Sequence, residues 1–558
     1  PILAWVFGRL YTSVEVDEEG LARVKRAASS APVVLCPSHK SHVDYLVLSW
    51  ALYEHGMTPP HIAAGINLAF WPFGAIARRG GAFFIRRKVK GDRIYTAVLR
   101  AYVKHLLRDR FPQEFFVEGG RSRTGKLLFP KTGLVSMEVD AWLDGAADDV
   151  VFVPIAVDYE KLIEASSYVK ELAGGEKAKE SLRGLVGAAK VLWRRYERLY
   201  VRFEEPISLR ALAEERLGEG AGRLDLDEAW GGETERAAAL SPGTRGTAAE
   251  AKRQLVQALA NRIAYGISRA VTVTPVGLVA AALLSHVRRG LAAEDVARRV
   301  ELLRYVAAER GAHFARDLAG APSDPREGGP IADAVRRLQA DGLLRVELAA
   351  GETIYIVPDE KRPLLDYHRN AVIHRFVSPA LLAAAARGGG TVDEVRARAL
   401  WLSRLFKLEF TYRVTARFDE VFEENLAFLV RVGALVREGD KLAPGAEPWT
   451  LAFLAEFARA YLEAYRLAAE TALALLAGKT GTFDRRELVK VALERGRAAF
   501  LSGSIVLRES LSKAHVENAL EWMVSQGVVA ESAGKLSVRD RGARLRDIVD
   551  VIAPLLAA

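Results

Sequence analysis

The segment CPSHKSHVDY, residues 36–45, holds His39 and Asp44 with four residues between them. An imidazole whose one ring nitrogen is tied to a carboxylate keeps a single tautomer and offers its other nitrogen as a general base. On a continuous helix five steps advance about 500°, leaving the two side chains roughly 140° apart and unable to pair. Pairing therefore needs a bend, and the sequence supplies one: VVLC reads as a strand, Pro37 ends it, and Ser41 can cap a helix beginning at His42. His39 then lies on the loop facing the helix start, with Asp44 in the first turn accepting from one ring nitrogen. By themselves these residues fit a core histidine beside an ordinary Ser41–His42 surface pair equally well.

Three further segments carry groups suited to anionic ligands or to positioning them. RRGGAFFIRRK, residues 78–88, runs from glycines through a strand of aromatics to Arg86 and Arg87; the plain alternative is an edge strand with a solvated basic end. FFVEGGRSRTGK, residues 115–126, reads as a strand running into Glu118, Gly119 and Gly120, then Arg121, Arg123 and Lys126. Glycines let a backbone approach a ligand closely and arginines give forked donors for phosphate, while the GxxxxGK[ST] pattern of nucleotide-binding loops is absent. If this loop continues in extended form, Arg121 and Arg123 point the same way and converge on one phosphate. VFVPIAVDYEK, residues 151–161, is a buried strand interrupted by Pro154.

Elements that position such groups are legible around them. From residue 30 to 210 short β-rich runs alternate with helical patterns, which predicts an α/β fold: a mixed sheet flanked by helices. Residues 1–270 are expected to form the catalytic domain, with 214–246, rich in Gly and charge, as a mobile linker or insertion. A helix is predicted to begin after Thr274, with Pro275 at its first position. Residues 271–558 read as a mostly helical region. Within it, the segments starting IADAVRRL, FEENLAFL and VENALEWM each run helix, Gly, strand, turn, strand, as three helix-plus-wing units. A winged-helix reader of DNA is one interpretation, but the units carry Glu and Asp among few basic residues, so nucleic acid is not an expected partner.

The chain has 558 residues, 50% of them hydrophobic, enough for two to four packed domains. Its formal charge of +9 favours anionic partners such as phosphorylated substrates, coenzyme or acidic lipid headgroups. The single cysteine, Cys36, excludes an intramolecular disulfide framework and a cysteine-based metal cluster. No uninterrupted run of about 18 apolar residues is present, so membrane contact is expected to be interfacial. GINLAFWPFGAIARRGGAFF, with Phe70, Trp71 and Phe73 beside Arg78 and Arg79, mixes aromatics and cations as such a contact would; interior packing is the alternative. No signal peptide pattern is read at the start, and exposure to the cytosol is the expectation.

Together the four blocks, in this order, resemble the glycerolipid acyltransferase superfamily, whose signature is an HxxxxD block, a GxxFxxR block, an FxEGxRS block and a strand with a VP step. The wording HIAAGINLAFWPFGAIARRGGAFFIRR, FFVEGGRSRTGKLLFPKTG and SSYVKEL, and LLDYHRNAVIHRF further on, is most similar to the bacterial, membrane-associated glycerol-3-phosphate acyltransferase branch. The resemblance covers nearly the whole chain and implies transfer of a long acyl chain from acyl-CoA or acyl carrier protein to glycerol 3-phosphate, with no metal and no further cofactor. It implies His39 as general base and Asp44 as its orienting partner. Arg87, Glu118, Gly119, Arg121 and Arg123 then bind the acceptor, and Pro154 is a positioning residue near the donor. Lys131 and Lys170 are further candidates for anion contact, with ordinary exposed lysines as the alternative. The resemblance also implies a peripheral place on acidic lipid at the cytoplasmic face of the cell membrane. Dihydroxyacetone phosphate is the nearest alternative acceptor.

Overall fold

The computed structural model describes residues 2–86, 91–175, 196–217, 242–287, 290–414, 416–476, 482–532, 534–538 and 540–557. Arg87 lies outside them, as does most of the 214–246 stretch. The chain divides into two compact units. The first takes its described residues from Pro1–Ser122, Leu127–Ile163 and Lys179–Thr272, the second from Arg123–Lys126, Glu164–Ala178 and Val273–Ala558. Two short segments expected within the catalytic domain, 123–126 and 164–175, thus fold with the second unit.

The first unit is built on an eight-stranded mixed sheet: β1 (Val14–Val16), β2 (Val33–Pro37), β3 (His61–Gly65), β4 (Ala82–Ile85), β5 (Gln113–Glu114), β6 (Val151–Tyr159), β7 (Leu199–Phe203) and β8 (Ile207–Ser208). The order is β1-β7-β6-β2-β5-β3-β4, with β8 also on β6. β2 is parallel to both neighbours, β5 and β6, while β6 is antiparallel to β7 and β8. β2 and β6 are buried along their whole length, which is why their sequences are near-continuous apolar runs.

Around the sheet run α1 (Ile2–Leu10), α2 (Glu18–Ser30), α3 (Asp44–Glu54), α4 (Phe73–Arg79), α5 (Arg93–Arg108), α6 (Thr132–Leu143), α7 (Leu209–Leu217) and α8 (Pro242–Ala270). Val34, Cys36 and Phe152 from β2 and β6 share one core with Val139 and Trp142 of α6 and Leu259 and Ile263 of α8. At the ends of the expected 214–246 linker the chain is helical: 214–217 close α7 and 242–246 open α8. FPQEFFVEGG was expected to be a strand through Glu118, but β5 covers only Gln113–Glu114. Phe115 N–H still donates to Leu35 O at 3.1 Å, after which the chain turns at 117–118 and Gly119 takes φ +66°, a left-handed conformation that no extended strand allows.

In the second unit the helix Pro275–Leu284 begins as expected, with Thr274 Oγ1 accepting from Gly277 N–H at 3.1 Å. The long helix Pro448–Leu476 packs against helices Val377–Ala386, Arg485–Leu501, Lys513–Ser525 and Ala543–Ala557. Each helix-plus-wing segment forms its helix and two-stranded wing. Each wing also gains a third, short strand from upstream: Gly290–Ala292, Gly390–Thr391 or Thr482–Phe483. Two of these lead into capping boxes, Thr391 with Glu394 and Asp484 with Glu487, which fix where the following helices start.

The segment 123–126 is held in this unit by polar contacts and close packing. Asn370 Nδ2 donates to Thr124 O at 3.0 Å. The Lys126 ammonium pairs with Glu409, which also meets His515 Nδ1 at 3.2 Å, and the ammonium lies 4.5 Å from the Tyr461 ring centre. Gly125 has φ +88°, and a Cβ there would stand 2.3 Å from Tyr367 O.

Candidate active site

β6, β2 and β5 are neighbours in the sheet, and the loops leaving the carboxyl ends of β2 and β5 carry His39, Asp44 and Glu118, the end of a parallel sheet where ligand sites generally form. Ser38, just past β2, is pinned to β6: its N–H donates to Ile155 O at 2.8 Å, and its hydroxyl accepts from Val157 N–H at 3.0 Å. The chain then bends through residues 39–43, and α3 starts at Asp44, two residues later than Ser41 capping at His42 would give. Ser41 Oγ instead accepts from Val43 N–H at 3.1 Å, inside the bend.

This bend brings His39 and Asp44 together, with Nδ1 3.0 Å from Oδ2. The same Oδ2 accepts the backbone N–H of Lys40 at 2.7 Å and of Ser41 at 2.8 Å. Asp44 Oδ1 accepts the Tyr159 hydroxyl at 2.5 Å. Both oxygens of Asp44 act as acceptors, Oδ2 for two amides and Oδ1 for a phenol, so His39 Nδ1 carries the hydrogen and the lone pair falls on Nε2. The imidazole is stacked on Phe116, centres 3.8 Å apart and planes 17° apart. Ring position and tautomer are therefore fixed by separate contacts.

Glu118 serves the same loop from the β5 side. Its Oε1 accepts His39 N–H at 2.7 Å and its Oε2 accepts Leu128 N–H at 2.8 Å, bridging the two loops. Burial pushes its carboxyl up to about 8, against the pull of the two amides and Lys40. Ser122 N–H adds a bond to His39 O at 2.7 Å. From the β6 side, the buried Lys40 ammonium meets Asp158 Oδ1 at 2.5 Å, and Asp158 Oδ2 accepts Thr272 N–H at 2.8 Å. Removing one member of such a buried pair leaves the other charge unmatched and costs about 3–5 kcal/mol.

The remaining residues singled out in the sequence fall as follows. Gly119 turns the loop, with the Lys131 side chain covering it: a Cβ on Gly119 would lie 2.9 Å from Lys131 Cγ. Lys131 is exposed, and its N–H donates to Val117 O at 2.7 Å just before α6. Arg121 is half-buried in the first unit. Arg123 belongs to the second unit, where its Nε donates to Glu171 at 3.0 Å and its guanidinium lies 4.6 Å from the Tyr168 ring centre. The extended loop that would aim Arg121 and Arg123 alike is not formed, because 119–120 and 123–126 are bends with Gly119 and Gly125 left-handed. Lys170 is exposed on the helix Ala165–Leu172. Pro154 lies in β6 opposite Cys36 of β2, and its ring packs under α8: a Cβ on Gly266 would lie 2.5 Å from Pro154 Cγ.

Tyr159, Lys40, Asp158 and Phe116 were not singled out. Each sits inside or beside a quoted block, yet nothing in local spacing marks Tyr159 or Asp158 as a partner of a loop 115 or more residues earlier in the chain. Adjacency of β2 and β6 creates those contacts.

Two family models match the chain: one described as Acyltransferase over residues 15–158, and one described as Glycerol-3-phosphate acyltransferase C-terminal region over residues 168–532. A His–Asp pair on the loop after β2, inside the first match, puts the sheet unit in the acyltransferase class. The glycerol-3-phosphate acyltransferase of Pseudomonas entomophila (strain L48) is 32% identical over 557 residues, 98% of this chain and 63% of that protein. That of Pseudomonas putida (strain W619) is 32% identical over 552 residues, covering 97% and 62%. That of Pseudomonas paraeruginosa (strain DSM 24068 / PA7) is 34% identical over 460 residues, covering 81% and 52%. The chain belongs to the glycerol-3-phosphate acyltransferase family and spans at most 63% of the length of these relatives.

Proposed function

We propose that the protein transfers a long fatty acyl chain from acyl-CoA or acyl carrier protein to the 1-hydroxyl of sn-glycerol 3-phosphate, giving 1-acyl-glycerol 3-phosphate. The observation that carries this reading is His39 Nδ1 held 3.0 Å from an Asp44 carboxylate that two backbone amides and Tyr159 also engage. An alcohol is a poor nucleophile near neutral pH. His39 Nε2 takes its proton as the oxygen attacks the thioester carbonyl, and Asp44 stabilises the imidazolium, a gain of roughly 10²–10⁴ in rate. The tetrahedral intermediate collapses by expelling the thiolate, which takes the proton from His39. No acyl-enzyme is required, and Cys36 is buried in β2 with burial pushing its thiol up, which disfavours a thiolate nucleophile. We assign Arg121 and Arg87 to the acceptor's phosphate, and to Glu118 the task of holding the His39 loop.

Peripheral attachment to acidic lipid, at the cytoplasmic face of the membrane, is part of the same reading. Among the described residues no helix is long and apolar enough to cross a membrane. Within the Ile66–Arg79 segment Trp71 is 79% and Ile76 64% exposed, and Arg78 and Arg79 are exposed beside them. Apolar and aromatic tips flanked by cations suit the headgroup region. The deciding experiment supplies the purified protein with labelled glycerol 3-phosphate and palmitoyl-CoA and identifies the acylated position. A 1-acyl product is expected. Its absence with either thioester donor, or acylation at another hydroxyl, refutes the reading.

A further inference from the structure

Helix α5 carries two apolar faces. Leu99, Val103, Leu106 and Leu107 are buried on one, and Leu107 shares a core with Val139 and Trp142 of α6. On the opposite side Ile94, Ala97, Val98 and Ala101 form an exposed stripe along its first turns, with Ile94 81% and Val98 63% exposed. A helix at the surface of a packed unit needs one apolar stripe, so the packing of this unit accounts for only one of the two.

The stripe has a defined place. Arg86, the residue after β4, donates its N–H to the Tyr95 hydroxyl at 3.1 Å and its guanidinium to Asp92 at 3.1 Å, which fixes the start of α5 at the carboxyl end of β4. β4, β3, β5 and β2 are mutually parallel, so Ile94 lies at the same edge of the sheet as His39, which follows β2. Ile66, 45% exposed, and Trp71 follow the carboxyl end of β3 at that edge. Three strand spacings, roughly 14 Å, separate β4 from β2.

Charge gathers in the same stretch. Residues 66–108 contain ten Lys and Arg against one acid, Asp92, a net +9 that equals the excess of the whole chain, 79 against 70. The remaining sequence is therefore balanced. Arg100 and Lys104 turn to Asp140 and Asp144, at 3.5 and 3.1 Å, whereas Arg78, Arg79 and Arg93 are exposed. Exposed aliphatic and aromatic tips together with a concentrated positive charge match an anionic bilayer, whose headgroups meet the cations while the tips enter the acyl boundary.

We propose that α5 is a second membrane-contacting element, and that with the Ile66–Arg79 segment it seats the carboxyl edge of the sheet on an anionic lipid surface. The inference rests on the reading of peripheral attachment and adds a surface to it. The edge carrying His39 then faces the bilayer, and the acylated product passes into lipid without crossing water.

Cosedimentation is measured with vesicles of phosphatidylcholine alone and of equal parts phosphatidylcholine and phosphatidylglycerol, at low and moderate salt. Ile94→Gln/Val98→Gln is compared with Trp71→Ala/Ile76→Ser and with Leu348→Gln, a leucine of the second unit that is 78% exposed. Ile94→Gln/Val98→Gln should bind the anionic vesicles at least about tenfold more weakly, with Tm near wild type because both side chains are largely exposed. Arg93→Gln should weaken binding about fivefold, mainly at low salt and only to the anionic vesicles. Leu348→Gln should match the wild type. Wild-type binding by Ile94→Gln/Val98→Gln, with Trp71→Ala/Ile76→Ser impaired, overturns this inference and leaves peripheral attachment standing. A wild-type protein that binds neither vesicle ends both. Unchanged vesicle binding with a fall in mass by sedimentation velocity assigns the stripe to a second copy of the chain and also overturns the proposal, as does an equal loss in Leu348→Gln.

Discussion

Tyr159, the last residue of β6, donates its hydroxyl to Asp44 Oδ1 at 2.5 Å, while the other oxygen of Asp44 holds His39 at 3.0 Å. The carboxylate is thus gripped from both sides, and the strand next to β2 in the sheet decides where the histidine's partner sits.

The three residues should separate by role. His39→Ala is expected to lower kcat by roughly 10²–10⁴ with normal folding by circular dichroism, since a loop base contributes to chemistry more than to packing. Asp44→Asn should be comparably damaging, because an amide can present its NH₂ to Nδ1 and stabilise the wrong tautomer. Tyr159→Phe leaves the tautomer intact and should cost about tenfold or less. More than about a tenth of wild-type turnover in His39→Ala would end the general-base assignment.

Stability should depend on pH in a stated direction. Burial raises both Glu118 and Glu138 from 4.5 to about 8. Between those values the folded state keeps protons that the unfolded chain has released, so stability falls as pH rises from about 4.5 to 8 and levels off above. Burial alone would raise Glu409, but Lys126 and His515 hold it down at about 2, so it acts only below about 4.5 and with opposite sign. Glu138→Gln should flatten the fall of Tm between pH 5 and 8 relative to wild type. An unchanged slope would show that Glu138 ionises normally in the fold.

Gly125→Ala tests the anchoring of 123–126. With φ +88° and a Cβ placed 2.3 Å from Tyr367 O, the alanine meets both strain and backbone. A loss of at least about 1–2 kcal/mol in denaturant unfolding is expected, against almost none for Gly120→Ala, where nothing lies within 4 Å. Equal behaviour of the two would mean that the segment is not held as described.

Membrane attachment should respond to the exposed tips. Trp71→Ala with Ile76→Ser should reduce sedimentation with vesicles of acidic lipid severalfold while leaving Tm near wild type, because both side chains are largely exposed. Arg78→Gln with Arg79→Gln should weaken binding mainly at low salt. Unaltered vesicle binding in both variants would place the contact elsewhere.

How much of the site was legible follows from how local each contact is. The His39–Asp44 pair needed only a strand, a proline and a bend, all within ten residues, and that much was read correctly even though the helix starts two residues late. The course of FFVEGGRSRTGK was not legible. Its apolar start looks like any strand, but Phe116 is drawn onto His39 and Glu118 onto the His39 and Leu128 amides, so pairing stops at Glu114. Each helix-plus-wing unit was read, but its third strand was not, because two or three residues carry no periodicity.

The sequence by itself determined the alternation of strand and helix, the pairing of His39 with Asp44, and the repeated helix-plus-wing plan, since each is encoded in residue type and spacing over a short stretch. The tertiary structure alone decided that Tyr159, Asp158 and Glu118 meet the His39 loop, because only adjacency of β6, β2 and β5 brings their carboxyl ends together. It alone also decided that Arg123 turns away to Glu171 and Tyr168: left-handed Gly125 and the buried Lys126–Glu409 pair tie that stretch into the second unit. Local sequence sets φ and ψ preferences and polarity, whereas a contact between residues a hundred or more apart exists only after the chain has packed.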